Sequence, residues 1–298
     1  MSKRQFGFTQ NLSTVDAIQH ALDWSKSRHE KYVHAVFLDI SGAFDCLWWP
    51  QLVKDMQFAG CTSELIELTK SYLEGRQTEM KIGDQVFNRH LSKGCPQGSE
   101  YGPDLWKYAV NPLLSEELPR GTELIAYADD LAILISGMNR TELTERTNAL
   151  LARASTWASQ RKLTFSAAKS QIFWFKGSLS KPLVLRLGEA RIKPTESAKY
   201  LGVTFDRGGK FSHHLAEKAK STQALFGRLH GVAKTKWGLK QGAPLRIYKS
   251  VFLPQMSYAA SVWVSGCMSL AKHRSRANSA QRLPLRAITG AYKTTSTV

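Results

Sequence analysis

The decapeptide AYADDLAILI, residues 126–135, constrains the fold more than any other stretch, because two adjacent carboxylates interrupt a run otherwise apolar enough to be buried. ELIAY before Asp129 and Asp130 and LAILIS after them read as two apolar strands, so the pair falls at a tight hairpin turn. An aspartate at such a turn is ordinary and often does no more than satisfy backbone groups. Two together at the edge of an apolar sheet are a different matter, since adjacent carboxylates repel unless they share a cation. Magnesium suits that position: it takes hard oxygen ligands and keeps waters and phosphate oxygens in its remaining sites.

AVFLDISGAFD supplies a third acid, Asp39, at the end of another apolar strand. If that strand pairs beside the 124–135 hairpin, Asp39 and Asp129 face each other and can bind two divalent ions. Such a clamp stabilises the attacking and departing oxygens of phosphoryl transfer. Asp45 is the weaker candidate and is expected to cap or to form a salt bridge.

The surrounding pattern is α+β: helices on one side of a small, mainly antiparallel sheet, followed by a basic helical region. Ser13 and Thr14 can cap a first helix, with Val15, Ile18, Leu22 and Trp24 on one side. KYVHAVFLDI reads as a strand, LVKDMQFAG and SELIELTKSYLEG as helices, and residues 78–90 as a hairpin around Gly83-Asp84. SKGCPQGSEYGP is a glycine-rich loop and residues 104–118 a helix. TELTERTNALLARASTWASQRK is the longest helix, burying Leu143, Leu150, Leu151, Ala154 and Trp157. Short strands follow around QIFWF, LVLRLG and KYLGVTFD, and the rest is mostly helical, broken near Gly238 and Pro254.

Charge divides the chain more sharply than pattern does. Of its 298 residues, 1–206 carry 25 basic and 23 acidic side chains, whereas 207–298 carry 16 basic side chains and one acid, Glu217. Solubility does not require so one-sided a segment; a polyanionic partner does. The domain boundary is therefore expected between residues 206 and 207. With no apolar run of membrane-spanning length, no membrane association is expected. The start, MSKRQFGFTQ, lacks the apolar block of a signal peptide, so the expected address is intracellular. Cys46, Cys61, Cys95 and Cys267 are spaced too widely for a metal knuckle or a disulfide framework and read as free thiols.

Seven segments, in order, resemble the reverse transcriptase domain of a non-LTR (LINE-type) retrotransposon, most closely the arthropod clade that inserts into ribosomal RNA genes. QFGFTQNLSTVDAI resembles a finger segment of that family. VFLDISGAFDCLWWP, SKGCPQGSEYGPDLW and AYADDLAILI resemble its first three palm motifs. LARASTWASQRKLTFSAAKSQIFWF, KYLGVTFD and QGAPLRIYKSVFLPQMSYAASVW resemble the segments that follow. The resemblance implies a right-hand polymerase, with partial fingers and palm over 1–206 and a basic helical thumb or connector over 207–298. It implies an RNA template with a DNA primer and deoxynucleoside triphosphates as partners, and two magnesium ions, with manganese as an alternative.

By the same resemblance Asp39 and Asp129 are the metal-binding carboxylates, the backbone carbonyl of Ile40 is a further ligand, and Asp130 stands beside the primer terminus. Phe44 matches the sugar gate that crowds a 2′-hydroxyl. Gln97 and Gly98 match residues that pack under the incoming nucleotide and template base, and Tyr127 lies near the primer end. Lys169 matches a lysine behind the triphosphate, where a cation protonates the leaving pyrophosphate or only offsets its charge. Trp48 and Trp49 are expected to brace the palm rather than to stack on bases. Lys218, Lys220, Arg228, Lys234, Lys236 and Lys240 would track a duplex backbone, with Trp237 and Tyr248 as stacking platforms or as core.

Glu100 departs from the family, which has a small or apolar residue there, and puts an acid near the triphosphate path. The resemblance also places upstream finger strands, an endonuclease ahead of the polymerase and a cysteine-histidine knuckle behind it, all outside this chain. Two readings follow: an RNA-directed DNA polymerase acting in the nucleus from a nicked chromosomal primer, and a silent relic that still binds nucleic acid.

Overall fold

The computed structural model describes residues 1–179, 183, 185–188, 190–192, 194–233, 242–292 and 294. The chain divides into two compact units, residues 1–196 and 197–298. The contact boundary thus lies ten residues ahead of the point at which charge becomes one-sided.

Unit 1 runs α1 (Thr14–Ser27), β1 (Tyr32–Leu38), α2 (Trp49–Phe58), α3 (Ser63–Leu73), β2 (Gln77–Ile82), β3 (Gln85–His90), α4 (Gly102–Leu114), β4 (Thr122–Tyr127) and β5 (Asp130–Gly137). It continues through α5 (Arg140–Gln160), β6 (Gln171–Lys176), β7 (Leu185–Leu187), β8 (Ala190–Ile192) and β9 (Pro194–Thr195). One sheet carries the unit, in the order β4-β5-β1-β6-β9. All its pairings are antiparallel except β6 with β9. β1 is central, and Val33 to Leu38 are all buried, as is β5 from Leu131 to Gly137. A strand buried on both faces needs cover on both. Val36, Leu38, Leu131, Ile133 and Ile135 share a core with α2, α4 and α5. Ala35, Phe37, Ala132 and Leu134 are buried on the opposite face, where α1 lies against β4 and β5 with Ala17, Ile18, Ala21 and Leu22 inward. Helices therefore cover both faces, not the one side expected. The unbroken apolar run VFL was the signal.

A buried ion pair ties α2, α4 and α5 together. Arg161, at the end of α5, donates to Asp55 of α2 through Nε (2.9 Å) and Nη2 (2.5 Å), and its Nε also reaches the Ala109 carbonyl of α4 (2.9 Å). Trp157 Nε1 donates to the same carbonyl at 3.0 Å. His34 of β1 is fully buried. Thr147 Oγ1 donates to the Leu143 carbonyl (2.6 Å), so it must accept from His34 Nε2 (3.1 Å), which fixes the neutral tautomer protonated at Nε2. Burial pulls the imidazole down to about 3.

Unit 2 contains β10 (Ser197–Tyr200), β11 (Val203–Asp206), α6 (Ser212–Ala233), α7 (Ala243–Ile247), a π-helical turn (Tyr248–Phe252), α8 (Leu253–Ser257), α9 (Ala260–Met268) and α10 (Ala271–Thr289). KYLGVTFD is not one strand. Leu201 (φ 45°) and Gly202 (φ 80°) turn it into the β10–β11 hairpin, a two-stranded sheet. Asp206 accepts from the backbone N–H groups of Lys210, Phe211 and Ser212 and so opens α6. Ala219, Phe226, Phe252 and Ala280 form the core between α6 and α10. Tyr248 stacks on Phe252 at 5.2 Å and packs against that core, which removes it as a free stacking platform. Lys220, Arg228, Lys272, Arg274, Arg276 and Arg282 are exposed. Lys234, Lys236, Trp237, Gly238 and Lys240 lie outside the described residues. No helix among the described residues is long and apolar enough to cross a membrane.

Two stability predictions follow from the buried polar groups. Asp55→Ala strands the Arg161 guanidinium and is expected to cost about 3–5 kcal/mol in denaturant unfolding, whereas the paired Asp55→Leu, Arg161→Met chain loses far less; a single substitution within about 1 kcal/mol of wild type would remove the pair from the account. His34 is held neutral with a lowered pKa, so its contribution is complete above about pH 6.5 and declines as pH falls toward 3. From pH 6.5 to 5 the loss is about 2 kcal/mol, and thermal melts of His34→Gln are expected to fall less over that window than those of wild type.

Candidate active site

The acidic pair sits where β4 returns as β5. Tyr127 pairs with Asp130, leaving Ala128 and Asp129 as a two-residue turn. Such turns need positive φ to match strand twist, and Ala128 has φ 55°. That conformation is strained for an L-residue and is held from both sides. Gln5 Oε1 accepts from the backbone N–H of Gly7 (2.9 Å) and of Ala128 (3.3 Å). Trp106 Nε1, from α4, donates to the Ala128 carbonyl at 2.8 Å. Residues 4–6 run parallel to β4, with Phe6 N–H donating to the Ala126 carbonyl (2.8 Å) and Ala126 N–H to that of Arg4 (2.9 Å). Gly7 then lies so close to the turn that a Cβ there would stand 2.2 Å from the Ala128 nitrogen.

Asp39 reaches the same place from β1. Leu38 pairs with Leu131, so one further step along the register sets Asp39 beside Asp130. Ile40 bridges Phe165, with Ser166 N–H donating to the Asp39 carbonyl (2.8 Å) and Ser41 N–H to the Thr164 carbonyl (2.9 Å). Neither of these two bonds uses the Ile40 carbonyl. The loop that makes them also carries Lys169, whose Nζ is 3.6 Å from Asp39 Oδ2. Two of the three acids are perturbed by their neighbours. Burial, then the charge of Asp39, raises Asp129. Burial, then the charges of Asp129 and Asp39, pushes Asp130 up to about 6, although it keeps open surface.

Phe44 stacks on Trp106 (ring centroids 5.6 Å apart) and meets Phe8 edge-on (6.1 Å), so it abuts the side chain that holds the turn. The loop of Gln97 and Gly98 is stitched to the segment after Asp39. Cys95 N–H donates to the Phe44 carbonyl (2.9 Å), Gly94 N–H to that of Leu47 (2.7 Å), and Trp49 Nε1 to that of Gly94 (2.7 Å). Gln97 Nε2 donates to Asp45 Oδ1 at 3.0 Å; among the described residues Asp45 binds this amide rather than capping a helix or forming a salt bridge. Gly98 has φ 81°, a conformation suited to glycine. Trp49 packs on the core, and Trp48 lies under the Lys162 ammonium at 4.0 Å. Tyr127 is half-buried beside the turn, and Glu100 is exposed ahead of α4.

Gln5, Gly7, Trp106, Ser166 and Ser170 are the positioning residues that sequence reasoning passed over; Ser170 Oγ accepts from the Asp39 N–H at 3.4 Å. A glycine between two aromatics in QFGF and a tryptophan whose N–H must find a partner were the available signals.

Among the described residues no group of three or more His, Cys, Asp or Glu side chains converges on a metal position. The three acids are neighbours rather than a finished cage. The donors nevertheless fit a hard divalent cation: Asp39 Oδ2 is buried without a hydrogen-bond partner, and all the candidate ligands are oxygen. Magnesium commonly takes one or two protein carboxylates and completes its shell with water and substrate phosphate.

The family model for reverse transcriptase (RNA-dependent DNA polymerase) matches residues 1–205. The chain is 31% identical to the putative 115 kDa protein in type-1 retrotransposable element R1DM of Drosophila melanogaster, over 99% of this chain and 28% of that protein. It is 32% identical to the retrovirus-related Pol polyprotein from type-1 retrotransposable element R1 of Bradysia coprophila, over 88% of this chain and 26% of that protein. The chain thus spans under a third of either relative. Among solved structures, apo telomerase from Candida tropicalis shares the fold at a TM-score of 0.50 and 12% identity, over 96% of this chain and 51% of that one.

Gly7→Ala tests the packing of the turn. It is expected to lower stability by about 1–3 kcal/mol in thermal unfolding, because backbone must move. Gly227→Ala, in α6 with open space around it, is the control and should not destabilise. Equal melts for the two variants would mean that the Gly7 contact does not hold the turn.

Proposed function

This chain belongs to the reverse transcriptase (RNA-dependent DNA polymerase) family, as a domain related to the Pol polyproteins of non-LTR retrotransposons, and we propose that it extends a DNA primer with deoxynucleoside triphosphates on an RNA template. The observation that carries this reading is the meeting of Asp39, Asp129 and Asp130 at adjoining strand ends, with Lys169 against Asp39.

Asp39 and Asp129, with the Ile40 carbonyl and with Asp130 alongside, would hold two magnesium ions, or manganese in their place. Such ions activate a hydroxyl nucleophile and offset charge on the attacking and leaving oxygens. Lys169 is exposed and paired only loosely, so it can turn from Asp39 to a triphosphate and offset the charge of, or protonate, the leaving pyrophosphate. Phe44 is backed by Trp106 and cannot easily retreat from a ribose; its ring would crowd a 2′-hydroxyl. Gln97 and Gly98 would lie under the nascent base pair, and Tyr127 beside the primer end. In this reading unit 1 is partial fingers and palm. Unit 2 is the thumb, and its exposed lysines and arginines bind phosphate backbone without reading sequence.

The type-1 names of two relatives support placing the chain in the ribosomal-DNA-inserting clade. The endonuclease and other parts of the polyprotein would be its partners in the intact element, and the nucleus its place of action. Glu100, an exposed acid in the Gln97 loop, favours a second reading, a silent domain that retains nucleic-acid binding.

Primer extension separates the two. With oligo-dT on poly-rA, magnesium and labelled dTTP, the wild-type chain is expected to extend the primer, and Asp129→Ala to fall at least about a thousandfold, several kcal/mol of barrier. Binding without extension by both proteins would sink the polymerase reading for this chain and leave the silent one.

A further inference from the structure

The β2–β3 hairpin is a two-stranded sheet of its own, and all its strand residues are exposed. Its sides differ. Met80 pairs with Phe87, Ile82 with Gln85 and Thr78 with Arg89, which sets Met80, Ile82 and Phe87 on one face. These three are 56%, 59% and 49% exposed. A lone two-stranded ribbon is marginal in water, and an open strand edge is a template for another strand.

The free edge of β2 has a definite pairing code. Gly83 and Asp84 form a two-residue turn, so Ile82 and Gln85 exchange backbone hydrogen bonds, and so, by alternation, do Met80 with Phe87 and Thr78 with Arg89. The Leu91 N–H donating to the Arg76 carbonyl at 2.9 Å continues the same phase. Glu79 and Lys81 consequently direct their backbone N–H and C=O groups outward, away from β3.

We propose that this edge pairs with the same edge of a second copy of the chain, antiparallel about a two-fold axis at Met80. That register sets Glu79 opposite Lys81 of the other copy, twice, and each pair can form two backbone hydrogen bonds as well as a charge contact. It also continues the Phe87–Met80 pair into a row of four apolar side chains across four strands. Shifting the axis to Lys81 would set two lysines face to face, and shifting it to Glu79 would set two glutamates face to face, so charge selects the register. Val86, Asn88 and His90, whose backbone groups face outward from β3, give that edge no comparable pair of opposite charges. The edge alone buries less than the roughly 800 Å² per partner of a stable dimer, so the association is weak and concentration-dependent. This inference does not depend on the polymerase reading.

The test is sedimentation velocity on the nucleic-acid-free full chain from about 1 to about 200 μM, a range suited to a weak interface. Wild type is expected to shift toward dimer as concentration rises. Glu79→Lys and Lys81→Glu each turn two attractive pairs into two repulsive ones and should weaken the dimer by at least about tenfold. The double exchange Glu79→Lys, Lys81→Glu restores both pairs and should restore the dimer. An equimolar mixture of the two single variants should also dimerise, although neither does alone. Circular dichroism of each variant checks that the exposed substitutions leave the fold intact. A monomeric wild type, single variants that dimerise like wild type, or a double exchange and a mixture that both stay monomeric each overturn the pairing.

Discussion

The hold on the Ala128 peptide is the constraint on which the rest of the site depends. A hairpin tip carrying two carboxylates tends to fray, and its third neighbour, Asp39, adds to the repulsion. The positive φ of Ala128 costs about 1–2 kcal/mol on its own. Against that stand two hydrogen bonds to partly buried groups, from the Ala128 N–H to Gln5 and from Trp106 to the Ala128 carbonyl, each worth about 1 kcal/mol. The sums are close, so the turn is kept because both bonds are made and because Trp106 is fixed by burial and by Phe44. A binding group and its support are thus one packed cluster: the ring that would face a sugar leans on the indole that fixes the acidic turn.

The parts legible in the sequence were those with a period or a charge. β1, β5 and α5 announced themselves by apolar runs and by helical spacing; Asp39 was expected to face Asp129, but the β1–β5 register sets it opposite Asp130, with Asp129 in the turn beside them. The Gln5 clamp was not legible, because an amide reaching Ala128 from 123 residues away leaves no local pattern. Nor was the break inside KYLGVTFD, where Leu201 adopts a positive φ that leucine rarely takes and no residue but Gly202 hints at a turn. The charge boundary and the contact boundary differ because β11 packs with α6 and carries its hairpin partner β10 with it, while their composition resembles that of the strands before them.

Lys169 shows how a weak contact can be useful. Its ammonium is 3.6 Å from Asp39 Oδ2, and its side chain is 72% exposed. An exposed pair of this kind contributes at most about 1 kcal/mol. That is enough to bias the Asp39 carboxylate, whose backbone is already fixed by Ser166 and Ser170, and too little to hold it against a divalent cation. A buried partner such as Arg161 does the opposite with Asp55: nearly dry, forked and costly to break, it locks three helices. The same chemistry of a cation on a carboxylate thus serves two different ends at Arg161 and Lys169, and solvent access decides which. Where water is excluded the pair fixes the frame. Where water enters, the lysine is free to leave its carboxylate for a stronger anion, which is what a group facing a triphosphate would have to do.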